Sequence, residues 1–257
     1  MKTVLITGAS SGIGLEFSHI FAKNYYRVIL VARDKDKLRA LQKELHEKYG
    51  VEVVIVPKDL ALTSAAEQVY TALKQANIEV DILVNNAGFG AYGKFSDIEP
   101  QRELEMINVN ITSLTLLTKI FLKDMIERKH GKILNVASTA SFVPGPMMTV
   151  YYATKAYVLS FSEALAEELS GTGITVTTLC PGPTQSGFQK AANIEDSRLF
   201  KNKKIPTSKE VAEYGYDALM KGRRVAIHGT ANKMMIQAIK FAPRKIITKI
   251  VKDMNEQ

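Results

Sequence analysis

The feature that most constrains this chain is an alternation repeated along most of its length. Seven short apolar runs, rich in β-branched residues, occur at 3–7, 28–32, 51–56, 81–85, 132–137, 174–180 and 224–228. Runs such as VILVA and VEVVIV suit strands that are buried on both faces of a parallel sheet. Between them lie amphipathic stretches at helical spacing, over about 12–24, 34–49, 63–76, 99–128, 151–170 and 207–220. Strands alternating with helices in this way build right-handed crossovers and a doubly wound, seven-stranded α/β sheet with helices on both faces. No Pro-, Gly- or Ser-rich linker divides the 257 residues, so one domain is expected. It comprises a core over 1–229 and a tail over 230–257 that reads as helical with a break at Pro243.

Composition removes several classes. With 46% hydrophobic and 23% charged residues the chain is neither disordered nor low in complexity. The single cysteine, Cys180, allows no internal disulfide and points to a reducing compartment. The first ten residues have no secretory signal pattern, and no run approaches the ~20 apolar residues of a membrane span, so a cytoplasmic location is expected. The net charge of +8 is unevenly placed. Residues 1–188 hold 19 Lys/Arg and 19 Asp/Glu, whereas 189–257 hold 15 and 7. A neutral body argues against a nucleic-acid partner. The four histidines, at 19, 46, 130 and 228, show no metal-ligand spacing, so no metal is expected. Cys180, within an apolar run, reads as an inert thiol.

The first apolar run passes directly into Thr7-Gly8-Ala9-Ser10-Ser11-Gly12-Ile13-Gly14 and then into a helical stretch. Its glycines permit a tight turn and close approach of a pyrophosphate to the backbone, with the helix N-terminus supplying N–H groups and a positive field. A G-x-x-x-G-x-G turn after a first strand predicts dinucleotide binding on a Rossmann-type sheet. An acidic residue ending the second strand would bind an unphosphorylated ribose, but here that run ends Val31-Ala32-Arg33. Arg33 can pair with a 2′-phosphate, while Asp34 can cap the next helix. The expected cofactor is NADP(H).

Further motifs follow in order: Asp59-Leu60, Asn85-Asn86-Ala87-Gly88, Asn110, Ser138, Tyr151-x-x-x-Lys155 and Pro181-Gly182. With the glycine turn they make the sequence resemble the short-chain dehydrogenase/reductase family over roughly 1–230. The resemblance implies that Gly8, Ser10, Ser11, Gly12, Ile13 and Gly14 form the cofactor turn. It implies that Asp59 meets the adenine amino edge beside Leu60, and that Asn86, Ala87 and Gly88 floor the cleft and stabilise the central sheet. Pro181, Gly182 and Thr184 would hold the nicotinamide, and Ser186 stands where many relatives carry Thr. Ser10 and Ser11 occupy positions where some NADP-dependent relatives carry a basic residue, which leaves a 2′-phosphate more dependent on Arg33. Tyr151 would be the acid/base, with Lys155 tuning it and bonding the nicotinamide ribose. Ser138 would polarise the substrate oxygen, and Asn110 would keep a water in a proton relay. Relatives of this kind are often homodimers or homotetramers.

The chemistry accounts for these residue types. Hydride transfer to a carbonyl leaves an oxyanion that needs a proton donor and a polarising group. A tyrosine, with an ordinary pKa near ~10, is drawn toward phenolate by a nearby ammonium and by the positive oxidised nicotinamide. An i, i+4 pair presents both side chains on one helix face. Tyr152 also neighbours Lys155 by local spacing; the family pattern and the 13-residue gap back to Ser138 select Tyr151. Ser141 is the weaker substitute for Ser138.

The loops that line a substrate pocket in this family contribute Phe89, Tyr92, Phe142, Val143, Pro144, Met147, Met148 and Phe188 here. Their character points to an apolar ketone or aldehyde as the small-molecule substrate. Residues 189–205 are expected to form a lid over the cleft. In the tail, apolar residues alternate with Lys233, Lys240, Arg244, Lys245, Lys249 and Lys252. Such a helix packs on the body or a subunit interface, or lies on an anionic membrane; packing is the expectation adopted. The leading function is an NADP(H)-dependent oxidoreductase interconverting a carbonyl and an alcohol. The alternatives are a non-catalytic NADP-binding sensor and a membrane-surface-associated protein on the same fold.

Overall fold

The computed structural model describes residues 1–192 and 205–256. Most of the segment expected as a lid, residues 193–204, lies outside the described residues. Seven strands are present among the described residues: β1 (Thr3–Thr7), β2 (Arg27–Ala32), β3 (Val53–Pro57), β4 (Ile82–Asn85), β5 (Gly131–Val136), β6 (Ile174–Cys180) and β7 (Val225–Ile227). They form one parallel sheet in the order β3-β2-β1-β4-β5-β6-β7. The order reverses between β1 and β4, and the carboxyl ends of those two strands therefore open a crevice where ligands bind in doubly wound sheets.

Helices cover both faces: α1 (Gly12–Lys23), α2 (Lys35–Tyr49), α3 (Ala65–Gln75), α4 (Pro100–Ile107), α5 (Leu114–Arg128), α6 (Thr149–Glu168), α7 (Phe188–Ala192) and α8 (Ser208–Met220). Successive strand residues point to opposite faces, and the core divides accordingly. Val4, Ile6, Val28 and Leu30 pack with Phe17 and Phe21 of α1, Leu38 of α2 and Leu219 of α8. Leu5, Ile29, Leu83 and Ile133 pack with Val69 of α3 and Leu117 and Phe121 of α5. Each fully buried Phe or Leu in these layers contributes roughly 1.5–3 kcal/mol relative to an exposed one.

Two features depart from the simple pattern. The stretch expected as one helix over 99–128 is interrupted by a π-helical turn, Asn108–Ser113, which carries Asn110 into the interior. The tail forms two helices, α9 (Thr230–Ile239) and α10 (Arg244–Asn255), with Pro243 capping the second. No described helix is long and apolar enough to cross a membrane.

Candidate active site

The glycine turn joins β1 to α1. Gly8 and Gly12 both have positive φ, as the reversal requires. A Cβ on Gly14 would overlap the Gly8 carbonyl and the Asn86 amide, so only glycine fits. Asn86 ties the turn to the end of β4: its Nδ2 donates to Thr7 O at 2.9 Å, and the Asn86 and Ala87 N–H groups donate to Thr7 Oγ1 at 3.0 and 2.9 Å. Ser11, which begins α1, makes no side-chain capping bond, and the first turn has no acidic residue. The first N–H groups of α1 therefore keep their capacity to bind a phosphate, in a local field that favours an anion.

Beside the turn, at the end of β2, the Asp34 carboxylate caps α2 by accepting from Lys37 N–H at 3.0 Å and pairs with Lys37 Nζ at 3.2 Å. That bonding holds its pKa below the usual carboxylate range. Arg33 lines the same crevice, is exposed, and has no ion-pair partner among the described residues. Asp59 lines it too, with Oδ1 accepting from Ala61 N–H at 3.0 Å, and Leu60 is buried beside it.

The crevice extends from this turn to the tail as one cleft of about 1390 Å³. Ser138, Tyr151 and Lys155 share its wall. Ser138 starts a short turn after β5, where its Oγ accepts from Ala140 N–H at 3.1 Å and donates to Pro181 O at 3.5 Å. Tyr151 is buried on α6, and burial raises its pKa above the usual tyrosine range against the smaller opposing effect of Ser138. One turn further along α6, the buried Lys155 donates from Nζ to Val136 O at 2.8 Å. Burial pulls its ammonium down to about 8. A Cβ on Gly88 would lie 3.1 Å from Asn110 Oδ1 and 3.2 Å from Lys155 Nζ, so glycine keeps this part of the cleft open.

The π-turn directs the Asn110 amide at the loop after β4. Its Oδ1 accepts from Phe89 N–H at 3.1 Å, and its Nδ2 donates to Phe89 O and Thr154 Oγ1, both at 3.0 Å. Both amide hydrogens are thus committed to positioning, and neither is available to donate to a water. The alternatives left by the sequence are also placed. Ser141 spends its hydroxyl on Lys155 O at 2.7 Å, and Tyr152 donates to Asn255 Oδ1 at 3.1 Å. At the other edge Pro181, Gly182, Thr184 and Ser186 line the cleft, and Thr184 Oγ1 donates to Gly182 O at 2.9 Å. Cys180 is buried, and burial pushes its thiol up to about 12.

Of the expected substrate-pocket residues, Phe89, Val143, Met148 and Phe188 line the cleft. Phe142 does not: the short turn Thr139–Phe142 sends its ring onto Leu114, Val158 and Leu159 between α5 and α6. Tyr92 also falls outside, in a smaller hollow with Asp97 and Arg102. Met147 and Pro144 are not in the wall either; Met147 sits in a positive-φ turn whose carbonyl accepts from Gly93 N–H at 2.9 Å. Their place is taken by the tail. Met235 and Ile239 of α9 and Ile247, Ile250, Val251 and Met254 of α10 close the substrate end of the cleft. Asn255 pins α10 there, accepting from Tyr152 and donating from Nδ2 to Pro146 O at 2.9 Å. The amphipathic spacing of the tail was the sole sequence signal for this.

Comparison with known proteins places this geometry. The short chain dehydrogenase family pattern matches residues 2–197, from β1 through the β6 motif. The chain belongs to the short-chain dehydrogenase/reductase family. A hydroxysteroid dehydrogenase-like protein 1 from Gallus gallus is 34% identical over 227 residues, 87% of this chain and 67% of that protein. The human very-long-chain 3-oxoacyl-CoA reductase is 37% identical over 183 residues, 69% of this chain. This chain spans only 57% of that enzyme's length. Among solved structures, a short-chain dehydrogenase from Sphingobium yanoikuyae in complex with NADPH superposes with a TM-score of 0.84 at 31% identity, over 93% of this chain and 94% of the other. The sheet, glycine turn and Tyr151-x-x-x-Lys155 wall are thus those of an oxidoreductase family that works with a nicotinamide dinucleotide. Helices α8 to α10 lie beyond the residues that the family pattern matches.

Proposed function

We propose that the protein is an NADP(H)-dependent reductase that interconverts an apolar ketone or aldehyde and its alcohol. One observation carries the reading. Ser138, Tyr151 and Lys155 meet on one wall of a cleft that begins at Arg33 and ends in apolar residues of the tail.

The residues fit a dinucleotide. The uncapped start of α1 and the close-packed Gly14 turn accept a pyrophosphate, and Asp59 with Leu60 bounds the adenine end. Arg33 meets a 2′-phosphate, while the neighbouring Asp34 carboxylate is engaged with Lys37 in the cap of α2. The open space at Gly88, bordered by Lys155 Nζ, takes the nicotinamide end. When bound, the cofactor supplies or accepts the hydride.

Tyr151, protonated at neutral pH because burial raises its pKa, donates its proton to the oxygen developing negative charge. Ser138, on the same wall of the cleft as Tyr151, holds the same oxygen and polarises the carbonyl. Lys155, with its ammonium near the end of its charged range at neutral pH, lowers the cost of phenolate and can pass a proton inward. Asn110 positions this wall through Phe89 and Thr154. In the other direction each proton step reverses. The substrate end has Phe89, Met148, Phe188 and the α10 side chains but few charges, which favours a bulky apolar group beside the carbonyl. A cytoplasmic site of action belongs to the same reading, and is supported by the free thiol of Cys180.

The test is oxidation of NADPH and of NADH by a series of ketones and aldehydes of increasing apolar size. Higher kcat/KM with NADPH, rising with substrate size, is the expected result. A preference for NADH overturns the reading of Arg33, and a preference for small polar carbonyls overturns that of the substrate.

A further inference from the structure

The tail roofs the cleft with one flank and leaves another bare. On α10, Ile247, Val251 and Asn255 are buried against the body, while Ile246 and Ile250, one turn apart, are 54% and 53% exposed. At the corner between α9 and α10, Phe241 is 89% exposed, the most exposed of the large apolar residues among the described ones. Lys240, Arg244, Lys245 and Lys249 surround this corner, all exposed, and none forms an ion pair among the described residues. Lys252 is paired with Glu256 at 3.4 Å, and Asp253, the one acid within α10, forms no ion pair among the described residues. Residues 230–257 hold six Lys/Arg and two Asp/Glu, so half of the chain's net charge of +8 sits on this short tail.

We infer that the α9–α10 corner docks on an anionic lipid bilayer, with Phe241, Ile246 and Ile250 entering the headgroup–acyl boundary. Three observations select this occupant. A ring as exposed as Phe241, at the corner between two helices, stands clear of the body and is free to insert between lipids. The flanking cations match anionic headgroups, each Lys or Arg strengthening attachment severalfold. A second copy is a poor occupant, because a two-fold contact through this corner would set the unpaired cations of each copy against the same cations of the other. Ile250 is both exposed and part of the cleft wall, so docking places the cleft mouth at the lipid surface. An apolar substrate could then enter without crossing water. The docking itself does not depend on which dinucleotide or carbonyl the site uses.

Sedimentation of the full chain with phosphatidylcholine vesicles, with and without about one third phosphatidylserine, tests this. Light scattering in the absence of vesicles is measured in parallel. The expected result is binding to the anionic vesicles alone, weakened by raising salt from about 0.1 M to about 0.5 M. Phe241→Ser and the double variant K245E/K249E should each lower vesicle binding by about tenfold or more, with the far-ultraviolet spectrum and particle size unchanged. No binding to anionic vesicles overturns the inference, as does binding that neither variant alters. A fall in particle size with Phe241→Ser, without an effect on vesicles, overturns it in favour of a subunit contact.

Discussion

Lys155 carries a charge into a place that provides no counter-ion, and that cost can be measured. Burial lowers its pKa from 10.5 to about 8, and no carboxylate pairs with it among the described residues. At ~1.36 kcal/mol per pH unit, the folded chain at pH 7 bears about 3 kcal/mol for keeping the ammonium buried and charged. Lys155→Met removes that cost and also the bond to Val136 O, which offsets about 1 kcal/mol. Without cofactor, the variant should therefore be more stable than wild type at pH 7 by about 2 kcal/mol, while losing activity. The sign with pH follows from proton linkage. Between pH 8 and 10.5 the folded chain releases a proton that the unfolded chain keeps, so wild-type stability rises with pH relative to the variant. The buried-charge cost falls below about 1 kcal/mol near pH 10, and the variant's advantage should vanish there. Urea unfolding of both proteins at pH 7 and pH 10 provides the measurement. A variant less stable at pH 7, or a difference that does not shrink toward pH 10, would refute the reasoning.

Other consequences follow from the same geometry. Arg33→Ala should raise KM for NADPH by about tenfold, a value scaled down for an exposed pair, and leave KM for NADH nearly unchanged; parallel steady-state kinetics with both cofactors check this. Asn255→Ala removes the partner of Tyr152 and of Pro146 O, so it should cost about 1–3 kcal/mol in thermal or urea unfolding and expose α10 to proteolysis. Gly14→Ala forces a Cβ onto the Gly8 carbonyl and the Asn86 amide, and should abolish dinucleotide binding in a fluorescence titration even where the chain folds.

The fold was largely legible because apolar runs and amphipathic stretches map directly onto strands and helices. All seven expected strands are present, with ends shifted by no more than about two residues. The motifs placed Ser138, Tyr151 and Lys155 on one wall because they sit at strand ends and on one helix face, where spacing dictates direction. Spacing could not foresee the π-turn at Asn108–Ser113, since the wider turn leaves the 3.6-residue rhythm of 99–128 intact at either end. Phe142 and Tyr92 were misplaced for a related reason. Their loops have no periodicity: a four-residue turn decides which way the Phe142 ring points, and Tyr92 lies in an irregular stretch beside Asp97 and Arg102. The largest gap is the tail. Its amphipathic pattern predicted a helix with a buried face, but only long-range contacts such as Tyr152 to Asn255 show that this face closes the substrate end. Asn85 was likewise read only as part of a motif. It donates to Thr118 Oγ1 and Asn135 Oδ1, both at 2.9 Å, in a buried polar network beneath the cleft.

The central claim is that Tyr151 supplies the proton while neighbouring residues bind and orient. Turnover of NADPH by wild type and Tyr151→Phe, with the best ketone from the apolar series and with cofactor binding measured by fluorescence, tests it most directly. Loss of kcat by about 10²–10⁴-fold with NADPH affinity unchanged is the predicted result. Turnover in Tyr151→Phe close to that of wild type would contradict it.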